Sequence, residues 1–235
     1  KIEDPARGDD TRHWGPPWAG DGDTAMSAYY LSVNRNKRSL TLNLKSAEGQ
    51  QIARRLAAES AVVVENFKPG QIAQFGLGYA DLSALNPALV YCSLTGYGQD
   101  GPYADRPGYD FVTQGMSGLM SITGPVDGEP YKVGVALSDV IAGLNAATAI
   151  LAALRHAEQT GQGQQLDVAL FDTTLAAMVN VAESYLVSGQ PSKRYGNAHA
   201  SIAPYHSFRA ADGEFTVAVG NDLQFADLCG LIGRD

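Results

Sequence analysis

Short apolar runs flanked by turn residues alternate with longer stretches of helical period, and this alternation sets the first expectation for the fold. Ser39 to Leu44 alternates as a strand does. Ser46 to Glu59 repeats apolar residues at Ile52, Leu56 and Ala57, with Ser46 placed to cap the helix and Glu48 in its first turn. Ala61 to Glu65 and Leu89 to Leu94 read as strands that leave into loops carrying Gly, Pro or Asn. Val133 to Leu137 is an apolar extended run leading into a helix over Val140 to Ala157, closed by Thr160-Gly161. Gln164 to Leu170 is a further strand, Thr173 to Val187 a helix, Glu214 to Val219 a late strand and Leu223 to Gly233 a last helix. The pattern predicts βαβ units, hence an α/β fold whose ligands sit at the carboxyl ends of parallel strands. Lys1-Ile2-Glu3 reads as the end of a strand and the last helix as one inside a domain, so both ends of a longer chain are expected outside this sequence.

Composition adds limits. Of 235 residues, 45% are apolar and 18% charged, as in an ordinary globular domain and unlike a disordered one. Lysine and arginine total 17 against 25 acidic residues, and the net charge of -8 makes nucleic acid an unexpected partner while leaving room for a locally basic pocket. Cys92 and Cys229 follow no metal or redox spacing; two buried thiols and a reducing, cytoplasmic setting are expected. No apolar run is read as approaching the roughly 20 residues that span a bilayer, so no membrane partner is expected.

Three familiar motifs fail on context. Gly96-Tyr97-Gly98-Gln99-Asp100-Gly101 matches a dinucleotide fingerprint and follows a strand, but Pro102 and Pro107 bracket an irregular stretch where a helix is required. His13, His156, His199 and His206 have no spacing that puts two ligands on one helical face, and no metal is expected. The nucleophile elbow of serine hydrolases is not in the sequence.

Asp139 is the candidate that survives. It stands before the most apolar helix, where an aspartate is an N-cap; position alone leaves capping and catalysis both open. Helix-end amides favour the ionised carboxylate, which is expected to stay anionic and oriented by hydrogen bonds. A carboxylate nucleophile suits acyl groups on a thiolate leaving group, because the resulting anhydride can be captured by a second nucleophile. Nearby loops carry Leu42-Asn43-Leu44-Lys45, Asn66-Phe67-Lys68 and Arg106-Pro107-Gly108-Tyr109-Asp110. Lys45, Lys68 and Arg106 can meet phosphates while Phe67 or Tyr109 contacts a base, as a phosphorylated nucleotide tail requires, although each lysine alone also reads as a solvated surface residue. Arg35-Asn36-Lys37-Arg38 reads as a solvated turn.

These segments resemble the class III coenzyme A transferases, the formyl-CoA transferase and carnitine CoA-transferase family. The resemblance rests on Lys1-Ile2-Glu3 with Gly8-Asp9 and Thr11-Arg12, Asn34 to Ser39, Val64-Glu65-Asn66-Phe67 with Pro69-Gly70, and Ser138-Asp139 with Thr160 to Gln164. It implies a Rossmann-like large domain over residues 1–190, a linker and the start of a smaller domain over 191–235, and an interlocked homodimer. It implies Asp139 as the catalytic aspartate, passing through an acyl anhydride and an aspartyl-CoA thioester, with Asp110, which stands where formyl-CoA transferase has an active-site glutamate, as a second catalytic residue. Contacts to CoA carry over to Leu42, Asn43, Leu44 and Lys45, to Asn66, Phe67 and Lys68, to Gln74, and to Arg106, Pro107, Gly108 and Tyr109. CoA enters as substrate, with no permanently bound cofactor. The Asn197 to Tyr205 stretch, with Gly220-Asn221 and Gln224-Phe225, is closer to the branch that resembles succinate-hydroxymethylglutarate CoA-transferase. That branch implies succinyl-CoA as donor and a dicarboxylic acid as acceptor. The rivals are an α-methylacyl-CoA racemase-like enzyme, disfavoured because Tyr109 stands where that branch has its histidine and a phenol is a poor base at neutral pH, and a non-catalytic acyl-CoA-binding protein.

Overall fold

The structure is a computed structural model that describes residues Lys1–Arg234. In chain order it holds β1 (Ile2–Glu3), β2 (Trp18–Ala19), β3 (Met26–Ser27), α1 (Ala28–Asn34), β4 (Leu40–Thr41), α2 (Ala47–Ala58), β5 (Val62–Glu65), α3 (Tyr79–Ser83) and β6 (Val90–Thr95). There follow α4 (Asp110–Met116), α5 (Leu119–Ile122), α6 (Leu137–Thr160), β7 (Gln164–Ala169), α7 (Leu170–Ala176), α8 (Val179–Ser188), β8 (Tyr205–Arg209), β9 (Glu214–Ala218) and α9 (Asp222–Ile232). The chain divides into two compact units, residues 1–95 with 146–167, and residues 96–145 with 168–235.

In the first unit, β5, β6 and β7 form a sheet in that order, and β5 pairs with β6 in parallel, Val62 opposite Val90 and Glu65 opposite Ser93. A parallel pair is what the βαβ pattern required. The strand expected over Ser39 to Leu44 is only β4, parallel to β1, because the chain turns at Asn43, whose carboxamide oxygen accepts from the Lys45 N–H at 3.0 Å. α2 begins where Ser46 predicts it: the Ser46 hydroxyl accepts from the Gly49 N–H at 3.1 Å. Its buried stripe is Gly49, Ala53 and Ala57, while Ile52 and Leu56 stay exposed. Small residues let the helix lie close on Leu77, Leu82, Leu89 and Tyr91, which form one core cluster with Ala53 and Ala57.

The residues that open the chain are tied into one ionic knot. The buried Glu3 carboxylate accepts from Arg12 Nε at 2.8 Å and Nη2 at 3.0 Å, from the Asp9 N–H at 2.9 Å and from the Ser39 hydroxyl at 2.7 Å. Arg12 lies over the Tyr30 ring, 4.1 Å from its centroid, and Lys1 bonds Asp9 and the Asn34 carboxamide. Charge-assisted bonds of this kind hold β1, the loop after it and the head of β4 together.

In the second unit, α4 packs on α5 and α7, and β8 pairs antiparallel with β9. Arg194 donates to the carbonyls of Gly128 at 2.6 Å, Pro125 at 3.2 Å and Ser121 at 3.2 Å, anchoring the chain that enters the 197–205 stretch. The single helix expected over Thr173 to Val187 is two, α7 and α8, broken at Val179, whose φ of +40° a β-branched residue rarely adopts. Cys92 is buried as expected, but Cys229 is only half-buried, since α9 buries none of its residues.

Two expectations about α6 are corrected. The run Val133 to Leu137 does not simply extend: Leu137 is already helical. The helix is also long and apolar enough, at 24 residues, to cross a membrane by length and composition, contrary to the expectation that no such run exists. Ala142, Ala146, Ala153 and Ala157 are buried along one face, whereas Leu144 and Leu151 are 65% and 68% exposed.

Candidate active site

The loops that follow β4 and β5 carry the first group of predicted residues. Leu42 and Leu44 are half-buried against the core cluster, and Gln50 donates to the Leu44 carbonyl at 2.9 Å. Asn43 and Lys45 are exposed. After β5, the Glu65 carboxylate accepts from the Phe67 N–H at 2.8 Å and Asn66 donates to the Leu94 carbonyl, which fixes the turn while Lys68 stays exposed. Phe67 meets Phe75 edge-on at 6.3 Å and, with Leu44, lines a cavity of about 510 Å3. Gln74 is exposed on the 3-10 turn Ile72–Phe75. Apolar residues thus anchor each loop and leave Lys45 and Lys68 exposed at the carboxyl ends of parallel strands, where ligands bind in open α/β sheets.

The second group lies in the second unit. Arg106 stacks over the Tyr103 ring at 3.9 Å, and Pro107 and Tyr109 are exposed. Gly108 lies back to back with Gly96: a Cβ on Gly96 would stand 2.4 Å from the Gly108 Cα, and one on Gly108 would stand 2.1 Å from the Gly96 Cα. That approach, together with the φ of +89° and +90° at Gly98 and Gly101, accounts for the glycines of the fingerprint-like stretch without a dinucleotide. Both atoms in the clash are backbone, so no side chain can rotate away. Gly96→Ala is expected to cost about 1–3 kcal/mol in chemical denaturation, as overpacking does.

Asp139 lies in the first turn of α6 rather than ahead of it, so it is not the N-cap that its place in the sequence suggested. The capping is done from another helix. Asp110, the first residue of α4, accepts from the Ser138 N–H at 2.8 Å through one carboxylate oxygen and from Gln114 Nε2 at 2.9 Å through the other. Among the described residues no hydrogen-bond or ion-pair partner holds the Asp139 carboxylate. Although the residue is exposed, the surrounding protein displaces enough water to push its carboxyl above the usual aspartate range, and the Asp110 charge pushes in the same direction. This corrects the expectation of a carboxylate held down by helix-end amides. The site therefore holds a pair of acidic groups: Asp110 with a hydrogen bond to each carboxylate oxygen, and Asp139 with none among the described residues and of raised basicity.

Sequence reasoning missed Gln114 and Ser138, both fully buried. The signal for Gln114 was its place four residues after Asp110 on a helix, the spacing at which side chains meet. The Ser138 and Thr113 hydroxyls are buried without a hydrogen-bond partner among the described residues.

The chain belongs to the CoA-transferase family III, matched over residues 1–235. It is 51% identical over 235 residues to the succinate–glutarate CoA-transferase of Agrobacterium fabrum and 46% identical over 232 residues to the human succinyl-CoA:glutarate CoA-transferase. Each comparison covers 99% of this chain, which spans 59% and 52% of those relatives' own lengths. Among solved structures it is similar to a CAIB/BAIF family protein from Brucella suis, with a TM-score of 0.88 and 49% identity, covering 99% of this chain and 61% of that one.

Proposed function

We propose that the protein moves CoA from succinyl-CoA to a dicarboxylic acid, with Asp139 as the covalent carrier. One observation carries the reading: the Asp139 carboxylate stands at the head of α6 with no hydrogen-bond or ion-pair partner among the described residues, beside Asp110, whose two oxygens each accept a bond. Asp139 attacks the acyl carbonyl of the donor, releasing CoA thiolate and leaving an acyl–aspartyl anhydride. The thiolate then attacks the aspartyl carbonyl, freeing the donor acid and forming an aspartyl-CoA thioester. The acceptor carboxylate attacks that thioester, and the regenerated thiolate captures the acceptor acyl group as Asp139 leaves. Each step exchanges one acyl bond for another, so the sequence balances without an oxidant or a reductant. In this reading Lys45, Lys68 and Arg106 meet the phosphates of CoA, with Gln74 near them, and Phe67 or Tyr109 contacts its base.

Two relatives act by name between succinate and glutarate, which supports succinyl-CoA as donor and glutarate as the first acceptor to try. In this reading residues 1–190 form the large CoA-binding domain, 191–235 the linker and the start of a smaller one. Two copies interlock, and the apolar outer face of α6 at Leu144 and Leu151 supports burial against a partner. The test is to incubate the protein with succinyl-CoA and glutarate, follow glutaryl-CoA, and trap the acyl-enzyme with hydroxylamine. A hydroxamate on Asp139 is the expected result; transfer without any adduct there would sink the covalent route.

A further inference from the structure

Gln114 is fully buried on α4 and makes three hydrogen bonds in two directions. Its Nε2 donates to Asp110 Oδ2 at 2.9 Å and to the Val135 carbonyl at 3.4 Å, and its Oε1 accepts from the Val133 N–H at 2.8 Å. Asp110, held in this way, accepts from the Ser138 N–H one residue before Asp139. The carboxamide thus closes a chain of contacts from α4, through the approach to α6, to the residue next to the candidate nucleophile.

We propose that Gln114 is a positioning residue for Asp139: by clamping Asp110 and the Val133–Val135 backbone at once, it sets where the first turn of α6 begins and so where the nucleophile stands. This rests on the reading of Asp139 as the carrier. Gln114 touches neither substrate nor reacting atoms. A carboxamide suits the task because it presents a donor and an acceptor on one planar group and carries no charge of its own beside Asp110. Leucine keeps the volume and removes both functions. Glutamate keeps the shape and the acceptor, and replaces the donor only when protonated.

The titratable groups on the elements that bond Gln114 or pack on its helix are Asp110 on α4, Lys132 on the chain entering α6, Asp139 in the first turn of α6, and Asp172 on α7, which packs against α4. None but Asp110 bonds to Gln114 among the described residues. An ionised glutamate there meets the Asp110 anion directly, whereas its neutral form donates to Asp110 and accepts from Val133.

The experiment measures succinyl-CoA to glutarate transfer by the parent, Asp139→Ala, Gln114→Leu and Gln114→Glu, with thermal melting of each. Gln114→Leu is expected to lower kcat about 100-fold, the scale of an ångström-level misplacement of a reacting group, with the KM for succinyl-CoA changed by less than about threefold because the CoA contacts are made elsewhere. For Gln114→Glu the decisive readout is the rate relative to the parent against pH. It should rise as pH falls, by up to about tenfold per unit, as the glutamate takes its proton. A merely structural role would leave that ratio flat. The inference is overturned if Gln114→Leu folds and keeps the parent's kcat, or if the pH profile of Gln114→Glu parallels the parent's, while Asp139→Ala is inactive. If Gln114→Leu does not fold, the Gln114→Glu profile decides alone. If Asp139→Ala transfers CoA as the parent does, the reading of the carrier falls and the positioning role with it.

Discussion

Asp139→Ala is expected to lower CoA transfer by about 10^4-fold or more, the scale on which loss of a covalent nucleophile acts. The expectation follows from the asymmetry of the acidic pair. Asp110 has both carboxylate oxygens committed, one to Ser138 and one to Gln114, so it cannot substitute as a carrier without abandoning the head of α6. Asp139 has no such commitment among the described residues. Partial desolvation, reinforced by the neighbouring charge, raises its carboxyl above the usual range, which strengthens the anion as a nucleophile. The sign of the pH dependence follows. Attack needs the ionised form, so the rate should fall on acidification through a value above that of an ordinary aspartate. For stability the direction is opposite. A carboxyl whose pKa is raised by folding adds stability only while protonated, below its unfolded value, and loses that contribution as pH rises through the folded one. At neutral pH the charge is a cost, and Asp139→Asn should melt at or above the parent temperature while failing to trap an acyl group. A variant that both melts lower and transfers normally would contradict the assignment at both points.

The second large effect concerns stability. Glu3→Ala is expected to destabilise the protein by about 3 kcal/mol, because removing one partner of a buried ionic knot strands the others. Arg12, Ser39 and the Asp9 amide all lose their acceptor at once. These bonds, the one from Arg12 first among them, draw the Glu3 carboxyl down to about 2 from its ordinary 4.5. A depressed carboxyl contributes stability above its unfolded pKa, and that contribution is lost as pH falls through the folded one. The parent should therefore lose this stability between about pH 4.5 and about pH 2, and Glu3→Ala should lack that component of its acid titration. Urea denaturation of both proteins across that range measures the difference directly; equal pH dependence would show that the knot contributes nothing.

What could be read from the amino-acid sequence was whatever depends on neighbours along the chain. The Ser46 cap, the β5 and β6 runs and the ends of β7 and β9 are set within a few residues, and all stand close to where periodicity puts them. The family was legible for the same reason, in short motifs that the fold now explains: Lys1, Glu3, Asp9, Arg12, Asn34 and Ser39 are one hydrogen-bonded cluster. The start of α6 was misread because it is decided at a distance, by a carboxylate 28 residues upstream. The small-residue stripe of α2 was misread because Ile52 and Leu56 carry the stronger apolar signal, while closeness to the core selected glycine and alanine. Nor did any local signal mark the break at Val179.

The bond from Ser138 to Asp110, the bond from Val133 to Gln114 and the bond from Gln114 to the Val135 carbonyl together shut the stretch between α4 and α6 at its base, and the Tyr131 N–H closes it again by donating to the Thr123 carbonyl at 2.9 Å. The turn beyond that neck, residues 124–130, is mechanically insulated from the carboxylate. Arg194 holds this turn by the carbonyls of Pro125 and Gly128, so a change in its length should be felt first by the chain that enters the 197–205 stretch and only afterwards by the head of α6.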